Sequence, residues 1–426
     1  MTETVVPAAP AAPRSHVDTD GREFLAIVAG CMAMAALSID LMLPAFDDMR
    51  EAFGMAPDDT SVSWFITAFF LGLGVGQLVY GPLSDRFGRK PLLYAGLLLY
   101  VASGIAASFM PNLGSLAVCR VLWGLGAAAP RSLSVAMVRD VFEGDRMART
   151  MSLVMATFVM VPVLAPAVGA LFLLVLPWRA VFWVPLLIAV GLALWLRRLP
   201  ETLPPARRRS VHPTALLEAF RVVVTTRVTM AYGIVITCLF GIMTSYLGSS
   251  EIIFDEVYDQ ADLFPVLFGV LALMLGAGSL LNARIVMRLG LHRLLHVAAL
   301  YLLTTAGLGA LLAAVTDGEP PIWLFCVAIG VMLPSVSILT ANSNTAAMLP
   351  VGHVAGMAAA VLGTLATLIG ALLGSAVDAA FDGTVRPFWW CAFGFASVSA
   401  ASVFLLARPA HRAGLPEHGP VGRTPS

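Results

Sequence analysis

Hydrophobic residues in this chain gather in long blocks separated by short polar runs. Six blocks run from Phe24 to Ala45, Val62 to Tyr80, Pro91 to Met110, Ser115 to Val138, Met151 to Leu174 and Ala180 to Leu196. A polar stretch from Arg197 to Arg227 follows, then six more: Met230 to Ser250, Leu263 to Leu281, Leu294 to Val315, Ile322 to Ala346, Ala355 to Val377 and Phe388 to Leu406. A helix needs roughly 20 apolar residues to cross a bilayer core, so the pattern predicts an all-α membrane protein of about 12 transmembrane helices. The expected organisation is a disordered tail (1–23), a six-helix bundle (24–196), a linker (197–228), a second six-helix bundle (229–407) and a second tail (408–426).

Composition agrees with the blocks. Of 426 residues, 59% are hydrophobic and 12% charged, against about 25% charged in a soluble domain, which excludes a soluble globular protein. Lys and Arg (26) balance Asp and Glu (26), so net charge predicts neither a nucleic-acid partner nor an acidic substrate. Cys31, Cys119, Cys238, Cys326 and Cys391 all fall inside apolar blocks with no paired spacing, which argues against a disulfide framework or a CxxC metal site. The first 23 residues are polar and rich in Ala and Pro. The block after them is longer than a signal-peptide core and predicts a retained helix.

The placement of charge gives an orientation, because cationic loops stay on the cytoplasmic side. With the N-terminus inside, about 21 of the 26 basic residues fall in cytoplasmic segments, about 3 outside (Arg50, Arg179, Arg386) and about 2 within spans. Both tails are then cytoplasmic. The acids of DDMREAFGMAPDDT (from Asp47) and EIIFDEVYDQAD (from Glu251) lie outside. The halves also echo each other: DRFGRKPLL (from Asp85) follows the second block and MRLGLHRLL (from Met287) the eighth. Transporter folds built by duplication show such internal repeats.

Between the second and third blocks stands GPLSDRFGRK, Gly81 to Lys90. Its bases serve as a positive-inside topology signal on one reading. On a sharper one the cluster is a conformational latch: Gly81 lets helices approach, Gly88 permits the turn, Asp85 faces a helix N-terminus, and the bases pair with nearby acids. The loop resembles the signature G-x-L-x-D-R-x-G-R-[RK] of the major facilitator superfamily. LSIDLMLPAF, RVLWGLGAAA, VRDVFEGDRMARTMSL, APAVGAL, PWRAVFW and NTAAMLPVGHVAGMAAAVLGTL resemble, within that superfamily, the Bcr/CflA group of proton-coupled drug exporters. The resemblance implies two six-helix bundles rocking about a central cavity lined by spans 1, 4, 7 and 10. It also implies a monomer in a bacterial inner membrane, driven by a proton gradient without any cofactor. It places Asp85 over the start of span 11, near Gly352 to Gly356, with Arg86, Arg89, Lys90 and Asp140 in the surrounding cluster.

An ionisable residue at membrane depth is a functional candidate by default. Away from the span ends there are three: Asp40, Arg120 and Arg131. Asp40, late in span 1, and Arg120, early in span 4, fall at one depth, each roughly 8 Å to the external side of its span's centre. Two readings stand: a static pair that holds two helices, or a proton carrier, Asp40, with Arg120 as its modulator. Desolvation and a neighbouring arginine act on a carboxyl proton in opposite senses, so small changes of access would switch it. Arg131, 11 residues after Arg120 and just past Pro130, returns to nearly the same face roughly 16 Å nearer the cytoplasm. It either snorkels to headgroups or contacts substrate or a gate. One intramembrane acid against two bases favours neutral, zwitterionic or anionic substrates over lipophilic cations.

Weaker signals complete the picture. Pro162, Pro166 and Gly169 partly match the antiporter pattern of span 5, whose physical content is a bent helix with a small-residue face; ordinary helix packing explains it equally. Tyr246, Asn342 and Asn344 are candidates for hydrogen bonds to substrate, or for bonds between helices. His292, His296 and His353 lack ligand spacing, so no metal is expected. No HExxH, GxSxG or P-loop is present, which argues against an enzyme. A proton-driven exporter of small molecules is the expected function, and an importer or symporter of the same fold is the alternative.

Overall fold

The computed structural model describes residues 21–406 apart from 143, 206–207 and 209–212. Most of the N-terminal tail and all of the C-terminal tail lie outside the described residues. The described residues hold helices and no strands. In the first half these are α1 (Arg22–Asp40), α2 (Phe46–Phe53), α3 (Trp64–Phe87), α4 (Arg89–Ala107), α5 (Leu113–Val141), α6 (Gly144–Leu173), α7 (Trp178–Val181) and α8 (Trp183–Trp195). The second half holds α9 (Pro213–Thr225), α10 (Arg227–Ile252), α11 (Phe264–Leu289), α12 (Leu291–Val315), α13 (Ile322–Met348), α14 (Ala355–Asp378) and α15 (Arg386–Ala401). Among the described residues, 10 helical stretches are long and apolar enough to cross a membrane. One of them, Ile322–Asp378, is 57 residues long. It is two helices, because the backbone leaves helical geometry at Val351 (φ −117°, ψ 26°), just after Pro350. Met160–Leu173 of α6 is a further, shorter apolar stretch among the described residues.

Two elements differ from expectation. The first apolar block is not one helix: α1 ends at Asp40, a short 3₁₀ turn spans Leu43–Ala45, and α2 begins at Phe46. Pro44 accounts for the break, since it has no N–H to donate to the carbonyl four residues back, that of Asp40. Asp40 is thereby the last residue of a helix. In the linker, α9 docks Val223 against Val351, Ala358 and Val361, a small core separate from the main one.

Packing is heaviest within each half. α3 and α4 lie on α5, and α1 on α6; α10 lies on α14, α11 on α13, and α12 on α15. The halves meet along α3 with α14 and α6 with α11. Glycines set the closest approaches. A Cβ on Gly72 would lie 1.8 Å from the Val121 carbonyl oxygen, and one on Gly124 1.9 Å from that of Phe69. Side chains there would force α3 and α5 apart. Gly124→Leu is therefore expected to abolish the monodisperse peak in gel filtration of detergent-solubilised protein. Gly191→Ala, where a Cβ meets nothing within 4 Å, leaves that peak in place.

The nine-residue echo between the halves is conformational as well as textual. Gly88 joins α3 to α4 with φ 101° and ψ 160°, and Gly290 joins α11 to α12 with φ 74° and ψ 158°. Both occupy a region that side chains avoid, and each ends one helix and starts the next without a loop.

Candidate functional site

Asp40 closes α1 with only 3% of its surface exposed. Its Oδ2 has no hydrogen-bond partner among the described residues. Across the junction between the halves, Tyr246 of α10 is near enough for the Asp40 charge to act on its hydroxyl. That hydroxyl is likewise buried without a partner, and its ring stacks on Phe268 at 5.3 Å between centroids. Tyr246 also lines a small gap with Ser250, Ile253, Phe325, Ile329 and Phe388.

Arg120 stands at the same depth but does not pair with Asp40, which corrects the expected contact. Its Nη2 donates to the Ser38 carbonyl oxygen at 3.1 Å and its Nε to that of Phe65 at 3.2 Å. Its guanidinium lies 3.8 Å from the Phe65 ring centroid, 4.5 Å from Phe69 and 4.9 Å from Trp123. Ser38 is two residues before Asp40, about 200° around the helix, so the arginine and the carboxylate leave α1 on opposed faces. The end of α1 carries unpaired carbonyls and partial negative charge, and Arg120 caps it. Ser38 is held further by a hydrogen bond between its hydroxyl and that of Tyr100. The structure thus joins Arg120 to the backbone that presents Asp40, and not to the acid.

The Gly81–Lys90 segment is no loop, being helical on both sides of Gly88, and it is built on Arg89, which is 4% exposed. Its guanidinium donates to Asp85 at 2.6 Å, to Ser84 at 2.6 Å and to Asp140 of α5 at 2.9 Å. Glu201 accepts from the main-chain N–H groups of Arg89 and Lys90, the exposed start of α4. Lys90 Nζ donates to the carbonyls of Arg197 and Leu199. Two expectations are corrected. Asp85 turns to Arg89 and makes no bond to the start of α14 among the described residues, and a Cβ on Gly81 would meet nothing, so Gly81 serves no close approach. Arg86 lies over the neighbouring Phe87 ring. The cluster ties α3, α4, α5 and the chain after α8 together, all in the first half.

The remaining candidates divide. In α6, Gly169 lets the helix touch the Leu41 carbonyl, where a Cβ would be 2.2 Å away, and Pro162 and Pro166 lie inside that helix. Asn342 is buried and donates to Asn282 of α11 at 2.6 Å, the helix-to-helix alternative. Asn344 is exposed and bonds back to Thr340. Arg131 is half-buried, in α5 just after Pro130.

Three buried charges were not among the candidates. Arg50 of α2 (3% exposed) and Glu251 of α10 (4%) form a two-pronged ion pair, at 2.9 and 2.8 Å, across the junction at the end opposite the Gly81–Lys90 segment. Both had been placed in external loops; instead α10 continues through Glu251 into a π-helical turn over Ile253–Val257. Asp378, at the end of α14, is enclosed as well. It is 3% exposed and accepts a hydrogen bond from Ser249 at 2.5 Å. The run Gly248–Ser249–Ser250–Glu251 was the available signal: small and hydroxylic residues late in an apolar block mark a face on which another helix packs closely.

Apolar helices long enough to span a membrane, with charged side chains enclosed where two halves meet, are the build of a multi-pass membrane transporter. The chain belongs to the Major Facilitator Superfamily, whose family model matches residues 28–375. It is 25% identical over 351 residues to the bicyclomycin resistance protein homolog of Haemophilus influenzae, covering 82% of this chain and 87% of that protein. It is 28% identical over 364 residues to a chloramphenicol resistance protein of Pseudomonas aeruginosa, covering 80% and 82%. These relatives agree with the resemblance to the Bcr/CflA group. A crystal structure of a D-xylose-proton symporter shares the fold, with TM-score 0.73 at 14% identity over 91% of this chain and 98% of that one.

Proposed function

We propose that this protein is a proton-coupled exporter of small molecules, with 12 spans in two six-helix bundles that rock to expose a central site to either side. The bacterial inner membrane is its location, and both tails are cytoplasmic. It acts as a monomer with no cofactor beyond the proton gradient. The observation that carries the reading is the Asp40 carboxylate: buried, one oxygen unpartnered, at the helix end nearest the seam and beside Tyr246 of the other half. A group so placed changes its water access when the halves move, and a proton and a substrate can then exclude one another there. Arg120 positions the Asp40 backbone in this scheme. The relatives named a bicyclomycin resistance protein homolog and a chloramphenicol resistance protein support drug-like cargo.

The test is proton release from energised inside-out vesicles on adding neutral antibiotics, amino acids, organic anions or cationic dyes. A compound in the first group is expected to dissipate the pH gradient with wild type and not with Asp40→Asn. Equal dissipation by the two proteins overturns Asp40 as the coupling group. Alkalinisation of the external medium on adding substrate to intact cells would favour the symporter instead.

A further inference from the structure

Among the described residues three carboxylates of the membrane-embedded helices are buried: Asp40, Glu251 and Asp378. Glu251 has Arg50, and Asp40 has the role proposed above. Asp378 has neither a cationic partner among the described residues nor a task. Its Oδ1 accepts from the Ser249 hydroxyl at 2.5 Å, and Ser245, one turn earlier on α10, faces the same carboxyl. A Cβ on Gly248 would lie 2.1 Å from Oδ2, so only glycine lets α10 sit against this acid. No charged side chain of α3, α13 or α15, which also pack on α14, pairs with it among the described residues. The charges nearest along α10 are those of Glu251, two residues past Ser249, and of Arg50, which neutralises it.

A permanent structural tie between α14 and α10 would not need a charge here, since asparagine or threonine makes the same bonds without desolvating an ion. Hydroxyls both donate and accept, so Ser245 and Ser249 can solvate either the carboxylate or the carboxylic acid. Three side chains offer too few oxygens to replace the hydration shell of a metal cation. We infer that Asp378 is a second proton-binding site, in the second half of the molecule, so that the transport cycle carries two protons. This rests on the exporter reading above for its purpose, though not for its occupancy. The segment from Ser245 to Glu251 connects the sites: Ser249 bonds Asp378, Tyr246 lies within electrostatic reach of Asp40, and Glu251 holds Arg50. A shift of α10 alters the surroundings of both acids together.

The experiment is a proton titration of purified, substrate-free protein with a pH indicator, from about pH 5 to about pH 9, comparing wild type with Asp40→Asn, Asp378→Asn and the double variant. Asp378→Asn is expected to take up about one proton fewer than wild type, and the double variant about two fewer. A titration of Asp378→Asn that superimposes on wild type overturns the second site and leaves the exporter reading intact. Asp40→Asn superimposing while Asp378→Asn loses a proton overturns Asp40 as carrier and supports the second site. Ser249→Ala, which keeps the acid, is expected to leave the proton count unchanged and to move the midpoint of this step by at least about 0.5 pH unit; an unmoved midpoint overturns the role of the serine pocket. Loss of the same proton in sodium chloride but not in choline chloride would overturn the proton in favour of a metal cation.

Discussion

Arg120→Ala is expected to destabilise the protein by about 4 kcal/mol, since hydrogen bonds from a charged donor contribute about 1.5–3 kcal/mol each and a desolvated cation over aromatic rings adds to them. The substitution deletes both main-chain contacts, uncaps the end of α1 and leaves a cavity among Phe65, Phe69 and Trp123. Thermal unfolding of detergent-purified protein measures it. Arg120→Lys retains the charge but not the planar fork that spans two carbonyls while lying flat on a ring, so it should recover no more than about half of the loss. The same geometry decides between the two roles of this arginine. A direct Asp40–Arg120 charge pair would give a coupling of about 1–3 kcal/mol in a double-mutant cycle; opposed faces of α1 predict less than about 1 kcal/mol. A larger value would restore the direct pair.

Arg50→Ala is expected to open the end of the molecule that carries Glu251. Both partners are buried, so removing the arginine leaves a carboxylate enclosed without a counter-charge, at a cost of about 3–5 kcal/mol to the closed arrangement. Opening relieves that cost by returning Glu251 to water. A difference of about 3 kcal/mol is more than 100-fold in the ratio of closed to open molecules. A single cysteine at Ser250, buried beside the pair, reports the change as an increased labelling rate by a membrane-impermeant thiol reagent in a background without the native cysteines. Glu251→Gln, which leaves Arg50 its ion pair with Asp47 and buries no unpaired carboxylate, should open the end less. The exchange Arg50→Glu with Glu251→Arg should restore slow labelling. Slow labelling in Arg50→Ala would show that the pair does not hold this end shut.

What the sequence told, and what it did not, divides by physical range. Apolar blocks report a continuous property of about 20 neighbouring residues, and the helices follow them closely from α3 to α5 and from α10 to α15. The glycine turn at Gly88 and its counterpart at Gly290 were legible because one residue type fixes the backbone locally. Asp40 and Arg120 were legible as buried charges, yet their expected contact was wrong, because depth along a helix is read from residue number and side-chain direction across helices is not. Asp378, Glu251 and Arg50 were passed over for a related reason: a charge near the end of an apolar block reads as interfacial. Only the tertiary arrangement shows that α10 runs on past the expected end and that Gly248 admits a neighbouring acid. Asn342 and Asn344, two residues apart and alike in sequence, separate into an interhelix bond and an exposed side chain for the same reason.

The seam between α3 and α14 is smooth where the two halves press together. Thr364 donates to the Gly74 carbonyl at 2.9 Å and Gln77 to Thr367 at 3.3 Å. A Cβ on Gly74 would lie 2.8 Å from Leu368, and one on Gly363 2.2 Å from the Gln77 amide oxygen. Two bodies that tilt against each other need a fulcrum, and a fulcrum works best where the surfaces carry few protrusions and few bonds to break. For the rocking cycle proposed above, this line is the natural bearing. A methyl group added at Gly74, pressed against Leu368 of the other half, is expected to act as a wedge in that bearing, limiting the swing of the halves while each half stays folded.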